Sequence, residues 1–251
     1  MRQMKIAATV AGALSAALMA TSAGAAEITV IGSTAMTEFI EAVIPIFEHD
    51  SGHKVKASFL SGSVLPVKVK EGAPADLIVT TPESIDDLVK AGKVVAGSRV
   101  DFVRSSAGVA VRAGAPKPDI STPEAFKHAL LAAKSVGISK GPSGFYMLSL
   151  LERLGIADAV KAKAVIAQGR PVGDAIASGE AEIGVQQVAE LRPIAGTEVI
   201  GEMPGDLQKQ IPYSAGIPTK AKNAETARAL VSFLRSEAAL DVLKRKGMDV
   251  P

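Results

Sequence analysis

From Glu27 onward the sequence alternates short β-rich runs with amphipathic helical stretches, a pattern that constrains the chain to an α/β architecture with largely parallel sheets. The extended runs fall at residues 28–31, 54–59, 76–79, 102–112, 135–139, 165–167, 183–186 and 212–217. Between the first two, Phe39, Ile40, Val43, Ile44 and Phe47 repeat at helical spacing. Pro45 is expected to kink this helix and Gly52 to close it. A shorter helix ends near Gly72. Thr81-Pro82-Glu83 and Thr122-Pro123-Glu124 each set a hydroxyl cap before a proline suited to the first helical position. Further helices run through Leu148, Leu151 and Leu154 to Gly155 and around residues 172–177. Asn223 and Ser236 are expected to cap the last two helices, the second ending at Gly247.

The longest extended run, 102–112, leads into Ala115-Pro116-Lys117-Pro118 and reads as a first crossing between two lobes, with 212–217 as the return. The expected division is lobe 1 at 26–104 and 212–251, and lobe 2 at 105–211.

The first 25 residues form a separate unit. Arg2 and Lys5 precede an apolar stretch over 6–19, and the small residues Ala23 and Ala25 fit an A-x-A cleavage rule. This predicts a cleavable signal peptide at 1–25 and a periplasmic address; the apolar core is shorter than the roughly 20 residues of a spanning helix. Residues 1–25 hold two of the 28 Lys and Arg and none of the 26 Asp and Glu, so the remainder is charge-balanced. No charge argument supports a nucleic-acid partner. With no Cys in the chain, there are no disulfides and no lipid-anchoring cysteine, and stability must come from core burial. The absence of Trp weighs against a sugar-stacking site.

Three turns share one design, in which a strand ends, small hydroxyl or Gly residues follow, and a helix begins: Gly32-Ser33-Thr34, Ser61-Gly62-Ser63 and Pro142-Ser143-Gly144. Backbone N–H groups at a helix start are unsatisfied and carry the positive end of the dipole, so such turns bind oxyanions, with Ser and Thr hydroxyls as further donors. The same residues are also ordinary caps. Recurrence at three strand ends, where ligands of open α/β sheets lie, favours an anion site.

Four segments carry a family resemblance: Ile28-Thr-Val-Ile-Gly-Ser33-Thr34, Gly72-Ala-Pro-Ala-Asp76-Leu77, Gly141-Pro-Ser-Gly-Phe-Tyr146 and Gly179-Glu-Ala-Glu-Ile-Gly-Val-Gln-Gln187. Together they resemble the periplasmic molybdate-binding proteins of ABC transporters, in the type II solute-binding superfamily. The resemblance implies a two-lobe fold with two crossing strands, hinge closure over a small anion, an inner-membrane permease as partner, a monomer, no cofactor and no catalysis. It implies Ser33 as the first ligand serine, Ser61 or Ser63 as the second, and Ser143, Gly144 and Phe145 as backbone donors of the second lobe.

One departure bears on the ligand: the family's second-lobe Tyr hydroxyl is replaced here by Gln186-Gln187, and Tyr146 does not stand in for it. An amide both donates and accepts, so a small carboxylate or phosphorylated acid stays open beside a molybdate-type oxyanion. Arg104, Lys140 and Arg170, next to these turns or the crossing, would suit a carboxylate if one of them faced the cleft. A secreted hydrolase is the rival class, and its candidates are sparse. Gly141-Pro-Ser143-Gly144 is one residue short of a nucleophile elbow, Ser51 to Lys54 falls in a turn, and His49, His53 and His128 lack a clustered third metal ligand.

Overall fold

The computed structural model describes residues 24–246 and 248–250. The expected signal peptide therefore lies outside the described residues except for Gly24 and Ala25, as does Gly247 at the expected end of the last helix. No helix among the described residues is long and apolar enough to cross a membrane.

The first sheet is built from β1 (Glu27–Ser33), β2 (Lys54–Leu60) and β3 (Leu77–Thr80), with β1 parallel to both neighbours. The connecting helices are α1 (Thr37–Ser51) and α2 (Leu65–Glu71), and α3 (Pro82–Lys90) follows β3. Side chains on successive strand residues point to opposite faces. Ile28 and Val30 of β1 accordingly pack with α1 and the C-terminal helices, while Ile31 packs on the other face with Leu65, Ile85 and Leu88. All four residues of β3 are buried, as expected for a strand covered on both faces. Edge strand β2 instead turns Lys54 and Lys56 to solvent.

The second sheet contains β5 (Val136–Ser139), β6 (Ala164–Ala167) and β7 (Ile183–Gln187), with β5 parallel to β6 and β7. Helices α4 (Pro123–Ala132), α5 (Pro142–Arg153), α6 (Ala157–Lys161), α7 (Val172–Ser178) and α8 (Val188–Leu191) surround it. Strand β4 (Val100–Arg112) serves both sheets. Up to Ser106 it pairs antiparallel with β9 (Gln210–Gly216), and from Ala107 it pairs with β7 and β8 (Thr197–Glu202). The overall strand order is β2-β1-β3-β9-β4-β7-β5-β6. Two lobes with separate cores thus share one long strand, which is the two-lobe α/β architecture expected.

The return crossing differs from expectation. Residues 212–217 lie in or just after β9, whose inward Ile211, Tyr213 and Ala215 belong to the first core. The chain changes sheets earlier, where the Ala107 N–H donates to the Lys209 carbonyl at 3.1 Å and the Met203 N–H to that of Ala107 at 3.1 Å. The chain ends in α9 (Ala224–Phe233), α10 (Glu237–Arg245) and β10 (Met248–Asp249), which pairs with β4.

Local chemistry matches most expected helix ends. Thr81, Thr122 and Ser236 each accept a backbone N–H three residues on. Gly52 ends α1 at φ 72°, a left-handed conformation that favours glycine. Pro45 lies inside α1 on the exposed face, where the carbonyl it leaves unbonded is open to water. Asn223 is a correction: its side chain does not cap α9 but donates to the Glu27 carbonyl at 3.0 Å. Buried Asp76 fixes the approach to α9, with Oδ1 accepting from Lys222 and Asn223 N–H and Oδ2 from Thr29 N–H. Helices α6 and α8 and strands β8 and β10 were not legible as elements in the sequence; each is short and depends on its neighbours.

Candidate functional site

A cavity of about 570 Å³ lies between the lobes at the carboxyl ends of β1, β2, β5, β6 and β7, within the range of small-ligand sites. From the first lobe it receives Ser33, Thr34 and the Ser61-Gly62-Ser63 turn. From the second come Lys140, Arg170, Gln186, Gln187 and one residue the sequence reading did not single out, Glu190. The lobes meet at its rim: a Cβ added at Gly62 would come within 3.0 Å of the Pro142 ring.

The first-lobe wall consists of short side chains. Ser33, at the end of β1, is buried, and Thr34 opens a 3-10 turn leading into α1. The Ser61 and Ser63 hydroxyls lie 3.3 Å apart in the turn after β2. None of these turns is explained by side-chain capping: Ser33 makes no cap hydrogen bond, and neither does the residue that caps α2.

The second-lobe wall is already bonded to itself. Gln186, 4 % exposed, accepts the Val172 N–H on Oε1 at 2.7 Å and so caps α7. Lys140 Nζ donates to Gln168 Oε1 at 2.8 Å, and Arg170 forms a two-pronged pair with Glu180. Glu180 holds the Arg170 guanidinium further into its charged range, and Arg170 in turn lowers the Glu180 carboxyl. Arg170 therefore lines the cavity as a neutralised pair.

Four expected site residues are placed elsewhere. Arg104 does not line the cavity; it lies in β4 between β9 and β10, with its guanidinium 3.4 Å from Gln210 Oε1. Phe145 is 60 % exposed, and its N–H already donates to the Gly141 carbonyl at 3.0 Å, so the first intrahelical bond of α5 removes it as a ligand donor. Ser143 is 1 % exposed with its hydroxyl 3.1 Å from that of Ser139, which makes it a packing residue behind the cavity wall. Gly144 sits so close to β5 that a Cβ would fall 1.8 Å from the Ser139 carbonyl oxygen. The lining of this turn comes instead from Ser139, Lys140, Gly141 and Pro142.

The deepest feature is a polar chain that crosses between the lobes. Glu190 of α8 accepts the Thr34 hydroxyl on Oε1 at 2.7 Å and the Gln187 amide on Oε2 at 3.2 Å. The same amide donates to the Tyr213 hydroxyl at 2.6 Å. Burial raises the Glu190 pKa, opposed by hydrogen bonds from Thr34, Gln186 and Gln187. Burial and the nearby Glu190 also keep fully buried Tyr213 neutral. A signal for both residues existed in the sequence. Glu190 is a lone acid in the apolar run Val188-Ala189-Glu190-Leu191, three places after Gln187, and Tyr213 is one of two tyrosines, on the inward period of β9.

The sequence matches the family described as bacterial extracellular solute-binding protein over residues 28–249. This chain belongs to that family. The solute-binding protein is 35% identical over 227 residues to an aconitate isomerase of Pseudomonas sp, covering 88% of this chain and 87% of the relative. It is 32% identical over 252 residues to the molybdate-binding protein ModA of Azotobacter vinelandii, covering 94% of each. In fold it is similar to the solved periplasmic molybdate-binding protein of Azotobacter vinelandii, with a TM-score of 0.75 and 22% identity over 89% of this chain and 99% of that one. The type II fold expected of the solute-binding protein is thereby established.

Proposed function

We propose that this protein is the extracytoplasmic receptor of an ABC importer and closes its two lobes, joined at Ala107 and at 203–209, on a small oxyanion of the molybdate or tungstate class. One observation carries the reading: Ser33, Thr34, Ser61, Ser63, Gln186 and Gln187, from both lobes, converge on a single cavity at the strand ends. Short neutral donors on one wall suit an oxyanion, and the two connections at Ala107 suit hinge closure. The family and the molybdate-binding relatives support export by the 1–25 segment, a periplasmic address, and delivery to an inner-membrane permease without turnover.

A second reading, an isomerase acting on a small unsaturated carboxylic acid, has one observation of its own. Glu190 is a carboxyl biased towards its neutral form in the cavity, as a proton-transferring group would need to be, and a relative of 35% identity is named for such an activity.

A thermal-shift series on ligand-stripped protein separates the two. Ligand at 100 times its Kd adds about 2.7 kcal/mol, roughly 5 to 11 °C in a chain of this size. Molybdate or tungstate is expected to give that shift. Silence towards both anions, with interconversion of cis- and trans-aconitate followed in the ultraviolet, would replace the receptor with the isomerase.

A further inference from the structure

Among the described residues lining the cavity, Glu190 is the only acid, and its oxygens hold two donors an incoming anion would use, the Thr34 hydroxyl and the Gln187 amide. The carboxylate thus occupies the ligand's place electrostatically. A second anion beside it would bring two negative charges together in a confined space, an arrangement that proteins relieve by protonating one of them.

The surrounding charges offer no relief. Lys140 and Arg170 are engaged by Gln168 and Glu180. Helix α8 packs against β4, β7, β8, α7 and the 3-10 turn at Thr34–Met36, which carries no charged side chain. Of the charged groups on those elements, Asp101 meets Arg99 and Ser214, Arg104 meets Gln210, Glu198 meets Lys117 and Glu202 meets Gln208, while Arg112 and Asp174 make no bond to Glu190. Tyr213 of β9, reached through Gln187, is the remaining titratable neighbour.

A second observation is independent of the charge. Gln187 is 1 % exposed, and its Oε1 is buried without a hydrogen-bond partner. An unpaired buried acceptor is costly. If Glu190 gains a proton, the Gln187 amide can turn over. Its oxygen then accepts from both the Glu190 and the Tyr213 hydroxyls, and Nε2 takes the position of the unpaired oxygen, so the unpaired buried acceptor is removed.

We propose that anion binding in this cleft is coupled to uptake of one proton by Glu190, which the Gln187 amide accommodates by turning over between Glu190 and Tyr213. The proposal rests on the anion-binding reading above and holds for an oxyanion or an organic acid alike. It makes the protein a receptor whose affinity rises as its surroundings acidify. Glu190 acts here as a positioning and specificity residue.

The test is titration calorimetry of the full mature chain with molybdate, and with cis-aconitate as a second probe, at pH values where each probe is fully ionised. Paired buffers of different ionisation enthalpy report the protons taken up. The native chain is expected to take up about one proton per anion and to lose affinity by up to about tenfold per pH unit above the Glu190 pKa. Glu190→Gln, a neutral isostere, is expected to show no proton uptake, a flat pH profile, and tighter binding than the native chain at alkaline pH; a melting curve checks its folding. The buffer comparison on the native chain needs no variant. Anion binding with equal heats in both buffers and a pH-independent Kd overturns the coupling and leaves the receptor reading intact. Unchanged proton uptake in Glu190→Gln overturns the assignment to Glu190. No binding of either probe at any pH overturns the anion reading and this proposal together.

Discussion

The two walls of the cleft differ in how they are made. The first-lobe wall is three serines and a threonine at the ends of β1 and β2, set by local turns. The second-lobe wall is longer side chains, Lys140, Arg170, Gln186, Gln187 and Glu190, all bonded to neighbours. The short hydroxyls make few bonds, Thr34 to Glu190 being the one that crosses the cleft, whereas Lys140, Arg170 and Gln186 are each engaged within their own lobe. On the proposed function, the serines of the first lobe are the readier donors, and the second lobe would exchange internal bonds for ligand bonds.

The largest expected effect tests the rigidity of the second wall. Gly144→Ala forces a Cβ onto the Ser139 carbonyl and should cost about 3 kcal/mol or more in urea unfolding, an effect of overpacking against backbone. A loss below about 0.5 kcal/mol would mean that α5 shifts freely from β5 and that the second wall is not rigid.

A pair of serine variants sharpens the contrast. Ser33→Ala removes a donor to a charged ligand and should weaken anion binding about tenfold to a hundredfold in calorimetry, with little change in apo stability. Ser143→Ala should do the reverse, losing about 1 kcal/mol of stability with binding nearly intact, because that hydroxyl is spent on Ser139. Equal binding losses in both would return Ser143 to the ligand.

Gly62→Leu tests the rim. The added side chain meets Pro142 and should hold the lobes apart, raising the radius of gyration of the ligand-bound form in X-ray scattering and weakening binding while leaving the melting temperature within a few degrees. An unchanged closed form would place the contact outside the closing surface.

The smallest effect is electrostatic. The folded-state pKa of Glu190 is raised by burial above its unfolded value, so its stabilising contribution is complete below the unfolded pKa and declines as pH rises through the folded one. The melting temperature of the apo native chain should therefore fall relative to Glu190→Gln as pH rises through that window. A difference independent of pH would show that the Glu190 carboxyl is not displaced from its ordinary range.

Much of this was legible in the residues. Alternating β-rich and helical runs gave the α/β class, and turn chemistry located Ser33, Thr34, Ser61, Gly62 and Ser63. Proline and hydroxyl pairs marked the starts of α3 and α4. Ser143 and Phe145 came from the family resemblance and Arg104 from its place beside the crossing, but helix geometry turns Phe145 outward, packing takes Ser143 inward, and β9 and β10 flank Arg104. Asn223 is held by Asp76, 147 residues away, and turns its side chain to the Glu27 carbonyl instead of capping α9.

The sequence by itself determined the periodicities, the turns and the family, because each depends on residues within a few positions of one another. Tertiary structure alone decided that β4 serves two sheets, that Glu190 meets Thr34 across 156 positions, and that Tyr213 reaches Gln187 from β9. Those contacts bring together groups that no local spacing links, and burial, rather than the identity of the residue, gives Glu190 its raised pKa.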